Sequence, residues 1–198
     1  NGNLVVGGTF INNGILSVNS ALSGTGTLTQ GANSTLNLGG TTTVASLDAT
    51  SNTPNTVSYT KAGQQTILGI NYHHLTLSAT NVSTKTLASN TVIGGVLAIS
   101  NAVSLDFSSN TVTVASAPTL NGTLVMEVVR TGPNTFTGSK LIKTAGTLGY
   151  DGGLTLSVGG SAVQSGEVIP LFASSGGYAG GFTALALPAG GVNHWLTN

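Results

Sequence analysis

Of the 198 residues only five are Lys or Arg and five are Asp or Glu, which leaves a formal net charge of zero. That balance excludes the basic footprint of a nucleic-acid or anionic-membrane binder, and the absence of Cys excludes disulfides and thiolate metal sites. Ordinary domains are about a quarter charged, so hydroxyls and amides must keep this surface wet, and little charge repulsion holds copies apart.

In chain order, period-two alternation marks half-buried strands at Leu4/Val6, Leu16/Val18, Leu36/Leu38, Leu75/Leu77, Leu97/Ile99, Leu105/Phe107, Val112/Val114, Leu124/Met126/Val128 and Leu154/Leu156/Val158. Between them stand turn residues: Gly7-Gly8, Asn12-Asn13-Gly14, Gly39-Gly40, Gly94-Gly95, Asn121-Gly122, Gly152-Gly153 and Gly159-Gly160. No stretch carries a 3.6-residue period with caps, and no apolar run approaches the ~20 residues of a membrane-spanning helix. The chain is expected to be all-β.

Similar phrases recur. Leu4, Leu16 and Leu28 stand at even spacing, and Gly95-Val96-Leu97-Ala98-Ile99 and Gly122-Thr123-Leu124-Val125-Met126 return later. Short strands that stack on their equivalents in the next coil, ~4.8 Å away, form a β-solenoid; the expectation is a right-handed parallel β-helix. Asn, Ser and Thr ladders at the turns would satisfy one another. A β-sandwich of antiparallel hairpins is the alternative.

The stretch GTGTLTQGANSTLNLGG at 24–40, NTVSYTKAGQQTI at 55–67, YHHLTLS at 72–78 and TKTL at 84–87 resemble, in this order, the β-strand repeats of large secreted bacterial surface proteins. That resemblance covers 1–118 and implies an adhesin-like or autotransporter-passenger-like β-helix. Residues 119–198 are similar to the end module of autotransporter-associated β-strand repeat proteins, through NGTLVME at 121–127, SGEVIPLF at 165–172, GGYAGGF at 176–182, Leu187-Pro188 and Trp195. This module is expected to continue the solenoid.

In that family one more strand follows the Trp, whereas here Leu196-Thr197-Asn198 come last. The opening Asn1-Gly2-Asn3-Leu4-Val5-Val6 looks like that strand. The expectation is an assembly interface made by Leu4 and Val6 of one copy and Trp195 and Leu196 of the next. Such a head-to-tail contact is heterologous and gives an open filament. Lys at both Leu4 and Val6 is expected to block elongation. A chain cut just before its missing strand would show the same gap.

Chemistry-bearing residues are sparse. Asp48, Asp106, Glu127, Asp151 and Glu167 share no motif, although a stacked fold could bring two of them within the ~5–10 Å of a glycosidase pair. Glu127 reads as a solvent-facing charge that discourages edge pairing, and Asp151 as a turn residue. His73 and His74 are adjacent and should point to opposite faces of a strand, one packed beside Tyr72 and one solvated; His194 adjoins Trp195. The run Gly176–Gly181 lacks the Lys-Ser/Thr of a phosphate loop, and Tyr178 and Phe182 are expected to cover the core end. Thr25/Thr27/Thr29 form an irregular Thr strip, read as strand filling, not an ice-binding rank. Asn33, Asn81 and Asn121 begin chance glycosylation triplets. Tyr59, Tyr72, Tyr150, Tyr178 and Trp195 are the candidate platforms for a sugar. No catalytic, cofactor or metal site is assigned. The functional expectation is an extracellular, cell-surface structural or adhesive protein that forms homo-oligomers or filaments and meets cell-surface polysaccharide, with a carbohydrate-binding fragment as the alternative and a polysaccharide-active enzyme behind it.

Overall fold

The computed structural model describes residues 2–188, whose regular structure is all strand. The chain makes successive circuits. The first gives β1 (Leu4–Val5), β2 (Thr9–Asn12) and β3 (Ile15–Val18); the second gives β4 (Ala21–Gln30) and β5 (Thr35–Leu38); the third gives β6 (Thr41–Asp48) and β7 (Thr56–Tyr59). β8 (Gln65–Ile67) and β9 (His74–Leu77) follow, then β10 (Ser83–Leu87), β11 (Thr91–Ile93) and β12 (Leu97–Ile99), then β13 (Val103–Asp106), β14 (Thr111–Val114) and β15 (Thr119–Leu120). The later circuits hold β16 (Thr123–Gly132), β17 (Thr135–Gly138), β18 (Lys140–Lys143) and β19 (Leu148–Tyr150), then β20 (Gly153–Gly160), β21 (Phe172–Ser174) and β22 (Tyr178–Gly180), and finally β23 (Ala184–Ala186).

Apart from the β16–β17 hairpin, the paired strands of the described residues run parallel. Parallel neighbours need a long crossover, and each crossover here is the rest of a circuit. Strands come in three positions. β8, β10, β13, β16, β20 and β23 form one sheet, β11, β14, β18 and β21 a second, and β3, β5, β7, β9, β12 and β15 a third, with β22 beside β19. At the start, the first half of β4 lies between β1 and β6, and its second half between β2 and β6. Tyr72 carries the second position across the fourth circuit by parallel bridges to Ala49 and Ile93. Among the described residues the β16–β17 pair is the one antiparallel hairpin, so the stacked hairpins of a β-sandwich do not build these sheets.

Register shows the true period. Leu36 lies opposite Val57, Val57 opposite Leu75, and Leu75 opposite Leu97, a step of roughly twenty residues. Leu124 lies opposite Leu154 and Leu154 opposite Leu185, a step of about thirty. The hairpin and the segment 161–171 take up the extra length. The evenly spaced Leu4, Leu16 and Leu28 therefore do not stack on one another: Leu4 pairs with Leu22, Leu16 with Leu36, and Leu28 with Phe10 and Leu47. Their spacing counts strands within circuits, not circuits.

Alternation turns one side chain in two inward, and these make axial columns. Leu36, Val57, Leu75 and Leu97 are one such column, and Leu105, Leu124 and Leu154 another, all buried. Each large apolar side chain so buried contributes about 1.5–3 kcal/mol relative to exposure. Corners are tight where circuits stack. A Cβ on Gly40 would sit 1.3 Å from the Ser20 carbonyl oxygen, which accepts the Thr41 N–H at 2.9 Å.

Side-chain ladders occur at Asn12 Nδ2 to Gln30 Oε1 (2.9 Å) and Asn37 Nδ2 to Ser17 Oγ (3.1 Å). More often an Asn carbonyl oxygen accepts a backbone N–H of the next circuit: Asn3 from Ala21, Asn71 from Val92 and Asn90 from Thr111. An amide can thus close a corner without a matching amide above it, so the turns need not repeat in sequence.

Candidate functional site

The first circuit presents the largest set of uncovered apolar side chains. Leu22, Leu28 and Leu36 are fully buried in the second circuit, yet their counterparts Leu4 and Leu16 are only half-buried and Phe10 is 40 % exposed. Val5, Ile11 and Ile15 are 70, 56 and 80 % exposed. β1, β2 and β3 each pair on one side alone, so their outer edges offer unpaired backbone groups, a template for a further strand. Of the residues expected at the interface, Leu4 lies on this surface. Val6 is 4 % exposed and donates its N–H to the Ser23 carbonyl, so Lys at that position would disrupt the first circuit itself. The residues that missed attention are Val5, Phe10, Ile11 and Ile15, because alternation alone does not reveal which circuit has a neighbour. Trp195, Leu196 and His194 lie outside the described residues.

At the other end Tyr178 and Phe182 do meet the core end. Tyr150 stacks on Tyr178 at 5.6 Å between centroids and lies 5.0 Å from Phe182, with Phe172 edge-on at 4.9 Å. Tyr178 remains 46 % exposed. Tyr59 and Tyr72 are buried and cannot be platforms. The Leu68 N–H donates to the Tyr59 hydroxyl (3.0 Å), Tyr59 donates to the Tyr72 oxygen (2.9 Å), and Tyr72 donates to the Leu68 carbonyl (2.9 Å). Burial raises the Tyr59 hydroxyl to about 12 and Tyr72 well above its ordinary value.

Four of the five acids are spent on local structure. Asp48 Oδ1 accepts the Thr50 and Ser51 N–H groups, Asp106 Oδ1 accepts Ser108 N–H, and Asp151 Oδ1 accepts Gly152 N–H in the expected turn. Glu127 is exposed as expected, but β16 lies between β13 and β20, so it guards no edge. Glu167 was not singled out by any motif. Its carboxylate takes Arg130 Nε and Nη2 at 2.7 Å each, Asn134 N–H at 2.8 Å and Gln164 N–H at 2.7 Å, tying the β16–β17 hairpin to the 161–171 segment. The Arg130 hydrogen bonds hold it down to about 2. Among the described residues no three His, Asp or Glu side chains cluster as a metal site.

The histidines depart from expectation. The chain turns a corner between the Tyr72 bridge and β9, so the His73 and His74 rings meet edge-to-face at 4.2 Å, both half-buried. His74 Nδ1 accepts the Val96 N–H at 2.9 Å, and burial, then His73, lowers its affinity for a proton. Neither ring is simply solvated. Two lysines point inward: Lys85 donates to the Lys61 carbonyl and to Gln65 Oε1, and Lys143 to the Ala115 and Ala145 carbonyls. Burial, then the Lys61 charge, lowers Lys85 to about 8.

Charge is also distributed unevenly. None of the third-position strands β3, β5, β7, β9, β12, β15, β19 and β22 carries Lys, Arg, Asp or Glu. The rank Ser17, Asn37, Ser58, Thr76, Ala98 and Thr119, of which Ser58 alone is buried, runs along this face. The described residues thus offer an apolar open edge and a charge-free face, and among them no carboxylate pair is assembled at a pocket. Comparison with protein-family models, curated proteins and solved structures gives no match.

Proposed function

We propose that the parallel sheets are the walls of a right-handed β-helix, and that the chain is an extracellular surface or matrix component whose copies associate head to tail through their end strands. The observation that carries this reading is the open first circuit. Three edge strands and the half-covered Leu4, Phe10 and Leu16 together form a cross-section that one further circuit would complete. Covering each large apolar side chain is worth about 1.5–3 kcal/mol, and the scarcity of charge leaves little to oppose the contact. The three strand positions persist through β20, β21 and β22, so the added hairpin and loop widen the later circuits without removing the surfaces a next copy would meet. The resemblance of the repeat phrases to secreted bacterial surface proteins supports the same setting.

Light scattering and negative-stain microscopy test the reading. The chain is expected to form rods that lengthen with concentration. Phe10→Lys combined with Ile15→Lys should leave monomers with an unchanged circular dichroism spectrum. A monomer at every concentration, or rods of unchanged length in the double variant, refutes end-to-end assembly.

The second reading, a carbohydrate-binding adhesin fragment, draws on the half-exposed Tyr178 stacked on Tyr150. Glycan-array binding that is lost in Tyr178→Ala would favour it.

A further inference from the structure

Three Asn-Gly pairs stand in the sequence, Asn1-Gly2, Asn13-Gly14 and Asn121-Gly122. In such a pair the backbone nitrogen of the glycine can close a five-membered ring on the carboxamide carbon, and no side chain crowds it. Whether the ring closes depends on the freedom of that nitrogen, which the fold sets differently at each pair. Asn1 lies outside the described residues.

Asn121-Gly122 is pinned between two neighbouring circuits, where β15 passes into β16. Both N–H groups donate to the Ile99 carbonyl, at 3.0 and 3.2 Å, and the Gly122 carbonyl accepts the Gly153 N–H at 3.0 Å. A Cβ on Gly122 would sit 2.2 Å from the Val103 carbonyl oxygen. Asn13-Gly14 instead turns the corner between β2 and β3, two strands paired on one side alone, and both of its residues are exposed. The Gly14 N–H donates to a side chain, Asn12 Oδ1, at 3.2 Å. The Gly14 carbonyl accepts the Thr35 N–H at 2.8 Å, which ties the pair to the second circuit alone. Nothing lies within 4 Å of where a Gly14 Cβ would be.

We propose that Asn13 is a site of self-modification, where the chain deamidates through a succinimide. The Gly14 nitrogen gives its proton to hydroxide and bonds to Asn13 Cγ. The Cγ–Nδ2 bond breaks, and ammonia leaves with a proton from water. Water then opens the ring at either carbonyl, giving aspartate or isoaspartate. The sum is one water taken up and one ammonia released, with no oxidation or reduction. No Lys, Arg, Asp or Glu precedes Asp48, so the product carries the only charged side chain of the first two circuits. It stands between Ile11 and Ile15 of the uncovered apolar surface. Isoaspartate also lengthens the main chain by a carbon at the corner that places β3 relative to β2. Conversion thus withdraws the first circuit from assembly with time. That consequence rests on the end-to-end reading; the chemistry does not.

Ageing the intact chain at mildly alkaline pH is the test, followed by chymotryptic mapping, which separates Asn13 from Asn1 at Phe10. The Asn13 peptide should gain the mass of a carboxamide turned carboxylate and split into aspartate and isoaspartate forms. It should convert about tenfold faster than the Asn121 peptide in the folded chain, because only the second must first break contacts to two circuits; in urea the two should convert alike. Gly14→Ala, whose methyl crowds the attacking nitrogen but meets no other atom, should lose the doublet over the same period. Aged native chain should form shorter rods than fresh chain, while Gly14→Ala keeps its length on ageing. An Asn13 that stays intact, an Asn121 that converts as fast in the folded chain, or aspartate without isoaspartate overturns the site. Rods of unchanged length after conversion overturn its effect on assembly. A fresh native chain without rods refutes the end-to-end reading, and the peptide map still judges the site.

Discussion

Lys85 offers a sharp test of the inward face. Its side chain is fully buried and has no carboxylate beside it; Nζ meets two acceptors, the Lys61 carbonyl and Gln65 Oε1. A neutral amine has two N–H donors and an ammonium three, so the cradle fits the neutral form. Burial accordingly lowers the group from 10.5 to about 8. Between those two values the unfolded chain binds a proton that the folded chain does not, so stability rises with pH through that window. Below pH 8 the lysine is protonated in both states but buried only in the folded one, and the penalty is complete. At 1.36 kcal/mol per pH unit the penalty is at most about 3 kcal/mol. Urea unfolding measured from pH 7 to pH 10 is expected to show this gain in the native chain. Lys85→Met should remove the slope and be at least as stable as the native chain at pH 7. A native stability that is flat or falls over that range, or a Lys85→Met variant with the same slope, refutes the reasoning.

Two further outcomes follow from the geometry. Gly40→Ala drives a methyl group into the Ser20 carbonyl that holds the next circuit; a loss of about 1–3 kcal/mol or more is expected in urea unfolding, against almost none for Gly14→Ala, where nothing lies within 4 Å. Glu167 is lowered from 4.5 to about 2 by Arg130, so the clamp on the 161–171 segment is whole above pH 4.5 and fades as the pH falls toward 2. Protection factors at 161–171, taken relative to intrinsic exchange, should be lower at pH 3 than at pH 5, and those of Glu167→Gln should be low at both; equal protection at the two pH values in the native chain would contradict the ion pair.

Much of the fold was legible because alternation is local. Leu36/Leu38, Leu97/Ile99 and Leu124/Met126/Val128 read as inward pairs, and all are buried. The same rule, followed back from Leu87, places Lys85 and Ser83 inside; the chemistry of lysine hid a position that the period had marked. The even spacing of Leu4, Leu16 and Leu28 misled, since those residues belong to different stacks. The candidate sites were harder to see. Arg130 and Glu167 are 37 positions apart, and no local pattern links them. Asn13-Gly14 and Asn121-Gly122 look like equivalent turns until the circuits beside them are known.

The sequence by itself determined that this protein is built of strands, that few of its surfaces are charged, and that its polar work falls to hydroxyls and amides. Those properties follow from side-chain chemistry and from a period of two, which any short window displays. Only the tertiary structure decided which strands lie side by side, which circuit is left uncovered, and which Asn-Gly turn is pinned. Parallel pairing joins residues about twenty positions apart or more, and its register is set by how whole circuits pack, which no short window contains.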